Sequence, residues 1–544
     1  MEPVKRRGVR RLCATLVVAL ALLSGVRIAT ATGAFHHGTS SPRGPAEHTV
    51  TVSAQQAREL PTESVDVGRV AQGRRRPPGF LSMSLQYRTI GQWGGSRPAV
   101  SSVLVRLVDE LDPIGHEVIR LGGQGGDRVW WPIPHVRRPG GVSDTLSPRW
   151  ILAARRLAAA LHARYQLQIN LEADSERIAR VEADHLYHGL GRSDIAEWEI
   201  GNEPELYKSI PWYWEIDGRR LPWYADRGTP LYARGEDYGA DQFIAQWREW
   251  ERLLPGGIPV AGPDLVRTTW LPSFAEMLTR RSRLRAIDVH AYPVIKCVTD
   301  PSSPQYPSIS HLLTLNASRG LLAGSEADIG LAHGDGASFV LDEVGPDSCG
   351  GSAAISDSMA SALWAIDMLF SMDRAGVDAV DLHNLPGTVN ALFDLDRRHG
   401  RWQARVLPFY LGALLFAEGA PPGSRLLSAS DSDQAALRTW ATVGADGTVR
   451  VTLVNDGLSR VVAVHPSAGD AAVRLADLEV LRARGAASTR YFVLAGRREA
   501  TTETGTVGPL RDQFVARRHG EYRFVMRAGS AAVLTLAAPP TTTR

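Results

Sequence analysis

From Phe80 onward, short apolar runs alternate with longer stretches in which apolar residues recur every three to four positions. The runs are Phe80–Gln86, Glu117–Leu121, Leu167–Leu171, Glu197–Gly201, Ile258–Ala261, Ala286–His290, Ser338–Asp342 and Val377–Asp381. Each has the length of a buried strand. The stretches between several of them, such as Pro148–Tyr165, Gln242–Leu254 and Ser356–Ala375, have helical spacing. Eight strands separated by helices predict an α/β chain, a (β/α)₈ TIM barrel over residues 80–420, rather than an open doubly wound sheet. No G-x-G-x-x-G opens a helix after an early strand, which argues further against a dinucleotide fold.

Past residue 420 the period changes. Thr448–Leu453 alternates, with Val449, Val451 and Leu453 on one face and Thr448, Arg450 and Thr452 on the other. Val461–Val464, Arg490–Leu494, Tyr522–Met526 and Ala532–Leu536 follow with turn residues between them. This predicts a C-terminal antiparallel β-sandwich domain over 421–538 and a short tail at 539–544. Residues 32–79 are rich in Gly, Pro, Ser and Arg and predict a linker, with one alternating segment, His48–Ser53, that joins the β-domain.

The first residues are of another kind: basic Lys5 to Arg11, an apolar run from Leu12 to Leu23, then Ala29-Thr30-Ala31. This predicts a signal peptide over residues 1–31 and a secreted, extracellular protein; the alternative is an N-terminal membrane anchor. Losing the leader removes six basic residues and one acidic one. The formal net charge of +3 then becomes −2, with 55 Lys and Arg against 57 Asp and Glu. The basicity belongs to the leader, so neither a nucleic acid nor a membrane surface is indicated as a partner. The clusters Arg74-Arg75-Arg76 and Arg280-Arg281-Ser282-Arg283 are expected at solvated or loop positions. Of the three cysteines, Cys13 leaves with the leader, and the pair Cys297 and Cys349 is expected to form a disulfide.

Two segments carry the chemistry. Trp198-Glu199-Ile200-Gly201-Asn202-Glu203-Pro204 ends the fourth predicted strand, and Ser338-Phe339-Val340-Leu341-Asp342-Glu343 ends the seventh before a Gly-rich loop. In a barrel, the carboxyl-terminal strand edge is where catalytic groups come from. Cleavage of a glycosidic bond needs two carboxyl groups, one protonated to help the leaving oxygen and one ionised to attack the anomeric carbon. Glu203 suits the first role and Glu343 the second. Asn202 supplies a donor where a sugar 2-hydroxyl would lie. Past the sixth strand, Tyr292 can donate to Glu343 and hold it ionised, with His290 as a further candidate. Between Glu203 and the next helix lie Tyr207, Trp212, Tyr213, Trp214, Trp223, Tyr224, Tyr232 and Tyr238, whose rings could stack on sugars or pack the loop onto the barrel. No G-x-S-x-G joins a strand to a helix, and there is no Walker sequence or H-E-x-x-H, so neither a metal nor a cofactor is called for.

At these residues the chain resembles glycoside hydrolase family 79, which contains heparanase and β-glucuronidases. Phe80 to Ser84 looks like that family's first strand, and Ile119-Arg120-Leu121-Gly122-Gly123-Gln124-Gly125-Gly126-Asp127 is similar to its Arg-x-Gly-Gly-Asn-Ser-x-Asp segment. Ile200 to Pro204 resembles its acid/base motif, and Glu343 with Ser348-Cys349-Gly350-Gly351 its nucleophile loop. The resemblance implies acid/base Glu203, nucleophile Glu343, sugar or nucleophile contacts at Asn202 and Tyr292, and an acidic sugar contact at Asp127. Gln86 stands where a glutamate often ends the first strand, and Gln124 where asparagine is usual. The loop Leu385–Leu392 after the eighth strand lacks a basic residue, leaving backbone amides around Gly387 as donors for a glucuronate carboxylate.

The expectation is therefore a monomeric, secreted, retaining β-glucuronidase acting on a glucuronide-containing oligo- or polysaccharide. A barrel glycosidase of neutral sugars, of glucosidase or xylanase type, is the alternative. A catalytically silent carbohydrate-binding protein on the same scaffold is a third reading.

Overall fold

The eight runs that alternate apolar and polar side chains close into a parallel barrel. Its strands are β1 (Leu81–Gln86), β2 (Val118–Gly122), β3 (Arg164–Ile169), β4 (Ile195–Ile200), β5 (Val260–Leu265), β6 (Leu284–Ala291), β7 (Ser338–Val344) and β8 (Ala379–His383). The computed structural model describes residues 48–94, 100–113, 118–276, 283–430, 436–467, 473–495, 497–499, 501–507 and 513–536. The leader expected over 1–31, the start of the linker, Arg280 to Ser282 and the tail at 539–544 lie outside the described residues, as does Glu117. Each strand pairs with the next, β8 pairs with β1 through Val380 and Leu81, and β4 with β5 through Trp198 and Val260. All eight predicted runs fall on these strands, with ends displaced by a few residues.

The alternation has a definite sense. Leu81, Met83 and Leu85 of β1, Ile119 and Leu121 of β2, and Tyr165, Leu167 and Ile169 of β3 are buried in the apolar core shared with the surrounding helices. The intervening Ser84, Arg120, Gln166, Glu199, Asp288 and Asp342 meet one another across the barrel. The interior is thus a polar layer, whose buried guanidinium Arg120 is offset by Glu199, Asp342 and Glu343.

The helices follow the same logic. Helix α1 (Pro148–Leu161) opens on Ser147, whose side chain accepts from the Trp150 amide, with proline in the first turn. It buries Ile151, Ala154, Leu157, Ala158 and Leu161 on one stripe. Helix α2 (Met359–Ala375) is mostly apolar and buried along nearly its whole length, Ser361, Asp367 and Ser371 included, and α3 (Pro408–Gly419) packs beside it. A helix buried on every side needs cover on every side, and its buried aspartate needs a donor. That cover comes from the β-domain: Trp440 stacks on Phe370 of α2 with ring centroids 5.2 Å apart and donates to Asp367 at 2.8 Å. Barrel and β-domain therefore share one core.

The β-domain is a sheet that curls over so that Gln513–Arg518 pairs with both Glu521–Met526 and Leu475–Arg482. It encloses a second core containing Val65, Leu437, Val451, Leu453, Val464, Leu478, Tyr522 and Leu534. Most pairings are antiparallel. Two are parallel, and both are made by chain preceding the barrel: His48–Val50 with Gln513–Arg518, and Thr62–Asp66 with Arg460–His465.

The linker expectation for 32–79 needs correction in its described part. Ala54–Glu59 is a helix with a Ser53/Gln56 capping box, and Thr62–Gln72 is an 11-residue strand in the centre of the β-domain sheet. Val65 and Val67 are buried, but the polar residues around them conceal the period. The triplet Arg74-Arg75-Arg76 lies in a loop, as expected, and Arg75 is exposed, but its two neighbours are not simply solvated. Arg74 pairs with Asp378, and Arg76 is buried between the rings of Phe80 and Phe416 at 5.7 and 5.5 Å.

Candidate active site

The turn after β4 is unusual in its backbone. Gly201 has φ 81°, and Glu203 occupies the left-handed region at φ 48°, ψ 51°, a conformation that costs a non-glycine residue free energy. Surrounding bonds hold it there. The Glu203 amide donates to the Asp264 carbonyl at 2.9 Å, and Pro204 starts a 3₁₀ turn. Asp127 accepts from the Asn202 amide at 3.1 Å, the Tyr207 hydroxyl at 2.6 Å and the Leu171 amide at 3.0 Å. The result presents the half-buried Glu203 carboxyl to the barrel mouth, its side chain 19% exposed.

Glu343 reaches the same place from β7. The β6–β7 and β7–β8 ladders both slip near this point, so neighbouring Asp342 and Glu343 both contact Arg120 inside the barrel. One carboxyl oxygen each of Glu203 and Glu343, with a ring nitrogen of His290, lie within 4.8 Å of one another. Gly123, with φ 74°, passes close behind: a Cβ there would stand 3.1 Å from Glu343 Oε2.

Arg120 organises the site. Its guanidinium donates to Glu343 Oε2 at 2.6 Å, to Glu199 at 2.7 and 2.8 Å, to Asn202 Oδ1 at 2.9 Å and to Ser84 Oγ at 3.0 Å, and it lies 2.9 Å from Asp342. Because Asn202 Oδ1 faces Arg120, its amide Nδ2 is left as the donor for a ligand. The other oxygen of Glu343 accepts from the Tyr292 hydroxyl at 2.6 Å, and that hydroxyl lies 3.0 Å from His383 Nδ1. Tyr292 has one proton and gives it to Glu343, so His383 carries hydrogen on Nδ1.

These contacts set the charges. Burial alone would raise the Glu343 carboxyl, but His383, His290, Arg120 and the Tyr292 bond together hold it well below the usual carboxylate range. His383 is itself lowered by burial, so at neutral pH Arg120, His290 and Tyr292 carry that effect. Burial would also lower His290, yet Asp342 and the bonds to Asp342 and Glu203 outweigh it and push the imidazole up to about 10. Asp264, Asp288 and Asp381 are pushed far up by burial and stay neutral, and Glu199 rises to about 7 from burial despite Arg120. The sets Glu203–His290–Glu343 and Asp264–His290–Asp342 are close enough to share a cation, but Arg120 and charged His290 already supply the positive charge there.

Five residues singled out in the sequence, Glu203, Glu343, Asn202, Tyr292 and His290, converge on this mouth. Gln86 ends β1 beside it, with its side chain against Gly123 and Gly125. Asp127 lines the small cavity beside Asn202 and Glu203. It is buried, its oxygens accept from backbone amides and Tyr207, and it holds the turn that carries Glu203. The Gly387 amide is likewise taken, by Asp394 at 2.6 Å. Of the aromatic insertion, Tyr207 and Tyr238 are buried and Trp212 packs on the cluster of Trp130, Ile133, Val142 and Ile178, whereas Tyr224 and Tyr232 are exposed. Cys297 and Cys349 face each other as thiols with sulfurs 2.6 Å apart, on loops joined by the short ladder of Val294–Ile295 with Asp347–Ser348. Sequence reasoning gave no role to Arg120, Glu199, Asp342 or His383. Their signal was a charged or polar residue inside an apolar strand.

No protein-family model matches the chain, and no curated protein sequence does. Solved structures are similar in fold. A 4-O-α-L-rhamnosyl-β-D-glucuronidase from Fusarium oxysporum 12S is 16% identical, over 87% of this chain and 100% of that one, with a TM-score of 0.64. A family 51 arabinofuranosidase from Xanthomonas axonopodis pv. citri is 14% identical over 88% and 100%, with a TM-score of 0.55. CelM2, a bifunctional glucanase-xylanase from a metagenome library, is 13% identical over 88% and 100%, with a TM-score of 0.56. The chain has the barrel architecture of these glycoside hydrolases.

Proposed function

We propose that the protein is a retaining β-glycosidase in which Glu343 is the nucleophile and Glu203 the acid/base. The observation that carries this is the approach of the two carboxyl groups to within 4.8 Å, close to the separation of about 5 Å used when the enzyme forms a covalent glycosyl intermediate. Ionised Glu343 attacks the anomeric carbon while Glu203 gives its proton to the departing oxygen. Glu203, now a carboxylate, takes a proton from water as that water attacks the same carbon and frees Glu343. Configuration is retained because it is inverted twice.

We favour a glucuronide as substrate. Two things support this: the resemblance to family 79, and the action of the similar Fusarium protein on a rhamnosyl glucuronide. Export by a cleaved leader, a bonded Cys297–Cys349 pair and action as a monomer belong to the same reading. A neutral sugar is the second reading, favoured by the engagement of the Gly387 amide and of Arg120 within the protein.

A panel of chromogenic glycosides with acidic and neutral sugars tests both. A preference for the β-glucuronide supports the first, and a preference for a neutral glycoside the second. Glu343→Ala should abolish turnover, and Glu203→Gln should spare only substrates whose leaving group needs no proton. Hydrolysis of no member of the panel would leave the silent binding protein.

A further inference from the structure

His290 joins the two halves of the site in a way that double displacement does not by itself require. Its ring is buried on β6, with Nδ1 3.0 Å from Glu203 Oε1 and Nε2 3.5 Å from Asp342 Oδ1. Nδ1 is within hydrogen-bond distance of Glu203, whereas Nε2 faces Asp342 as an ion-pair contact, an arrangement that favours the imidazolium because a neutral ring would turn a lone pair toward one of the two carboxyl groups. Other groups surround it from every side: Arg120 from β2, Glu199 from β4, Glu205 from the turn beyond, Asp264 from β5, Asp288 from β6 itself, Glu343 from β7 and His383 from β8. Arg120 opposes the charge on His290, and burial keeps Asp264 and Asp288 neutral. Asp342 differs from those two aspartates. It is fully buried but held ionised by Arg120 Nε at 2.9 Å and by His290, so it is a fixed negative charge on the far side of the ring.

We propose that Asp342 is a positioning residue for the acid/base step: it keeps both ring nitrogens of His290 protonated, so that Nδ1–H holds Glu203 Oε1 and leaves Oε2 to exchange the catalytic proton. This rests on the glycosidase reading. In the first displacement the Oε2 proton passes to the departing oxygen, and in the second Oε2 receives one from water. His290 keeps both of its hydrogens throughout. Asp342 contacts neither the sugar nor the proton, and acts only through the imidazole.

The test is a titration of His290 in the full-length protein carrying ¹⁵N-histidine, followed by NMR and assigned with His290→Gln. The wild type should hold an imidazolium through pH 8, Asp342→Asn should lose that proton at least two pH units lower, and Asp342→Glu should resemble the wild type. In kcat/KM against pH, Asp342→Asn should displace the basic limb from its wild-type position, because the charge on the ring that holds Glu203 Oε1 is then lost. A purely structural role would lower stability and leave that limb in place. A wild-type His290 already neutral at pH 7, or the same titration in wild type and Asp342→Asn, overturns the proposal. If the wild type cleaves no glycoside, the functional reading falls, while the titration still upholds or overturns the pairing.

Discussion

Replacing Arg120 by methionine removes the one guanidinium that Glu199, Asp342 and Glu343 share, in a layer where all but Glu343 are fully buried. Methionine fills much of the same volume, so the loss is of charge and hydrogen bonds rather than of packing. Stranding one partner of a buried ion pair costs about 3–5 kcal/mol, a large share of a typical stability of about 5–15 kcal/mol. The pH dependence has a fixed sign. In the wild type, Asp342 and Glu343 are held low, so their contribution is present above the ordinary carboxylate range and lost as pH falls through their folded values. Without Arg120 both carboxyls rise and take up protons in the folded protein. The variant's deficit should therefore be full at pH 7.5 and shrink toward pH 5. Urea unfolding followed by fluorescence of the 14 tryptophans, for wild type, Arg120→Met and Arg120→Lys, measures it at both pH values. Lysine, a single point of charge, should recover only part of the loss. A deficit under about 1 kcal/mol at pH 7.5, or one equal at the two pH values, would refute the paired-charge account of this layer.

Tyr292→Phe deletes the 2.6 Å bond to Glu343 and should lower kcat/KM by about tenfold or more with little change in the unfolding midpoint; an unchanged kcat/KM would detach Tyr292 from the reaction. Gly123→Ala combines a left-handed φ of 74° with a methyl 3.1 Å from Glu343 Oε2, so activity should fall at a stability cost of only about 1–2 kcal/mol, read from kcat/KM beside thermal unfolding. Trp440→Ala opens the seam between α2 and the β-domain and leaves Asp367 without its indole donor; a loss of about 3–5 kcal/mol is expected in denaturant titration. Exposed Cys297 and Cys349 should resist alkylation in the exported protein until a reductant is added, and labelling of both without reduction would dismiss the disulfide.

Much of the scaffold was written locally. A strand buried on both faces and a helix with one apolar stripe have different periods, and each period is visible within a dozen residues, so the barrel's strands could be placed from the chain alone. Glu203 and Glu343 were legible for a related reason: each ends such a strand, and strand ends of a parallel barrel share one face. Thr62–Gln72 was not, because its partners Arg460–His465 and Arg425–Ala429 lie hundreds of residues away and only they justify its burial.

What only the closed structure decided is who meets whom. Arg120 acquires its partners from β1, β4 and β7, and Asp127 becomes the anchor of the acid-bearing turn because barrel closure brings it under Asn202 and Tyr207. Such meetings depend on strand register around a ring, and one slipped residue would turn each of these side chains to the opposite face. A local pattern records which residues can be buried. The cost of burying charge then selects the closure in which those charges are paired.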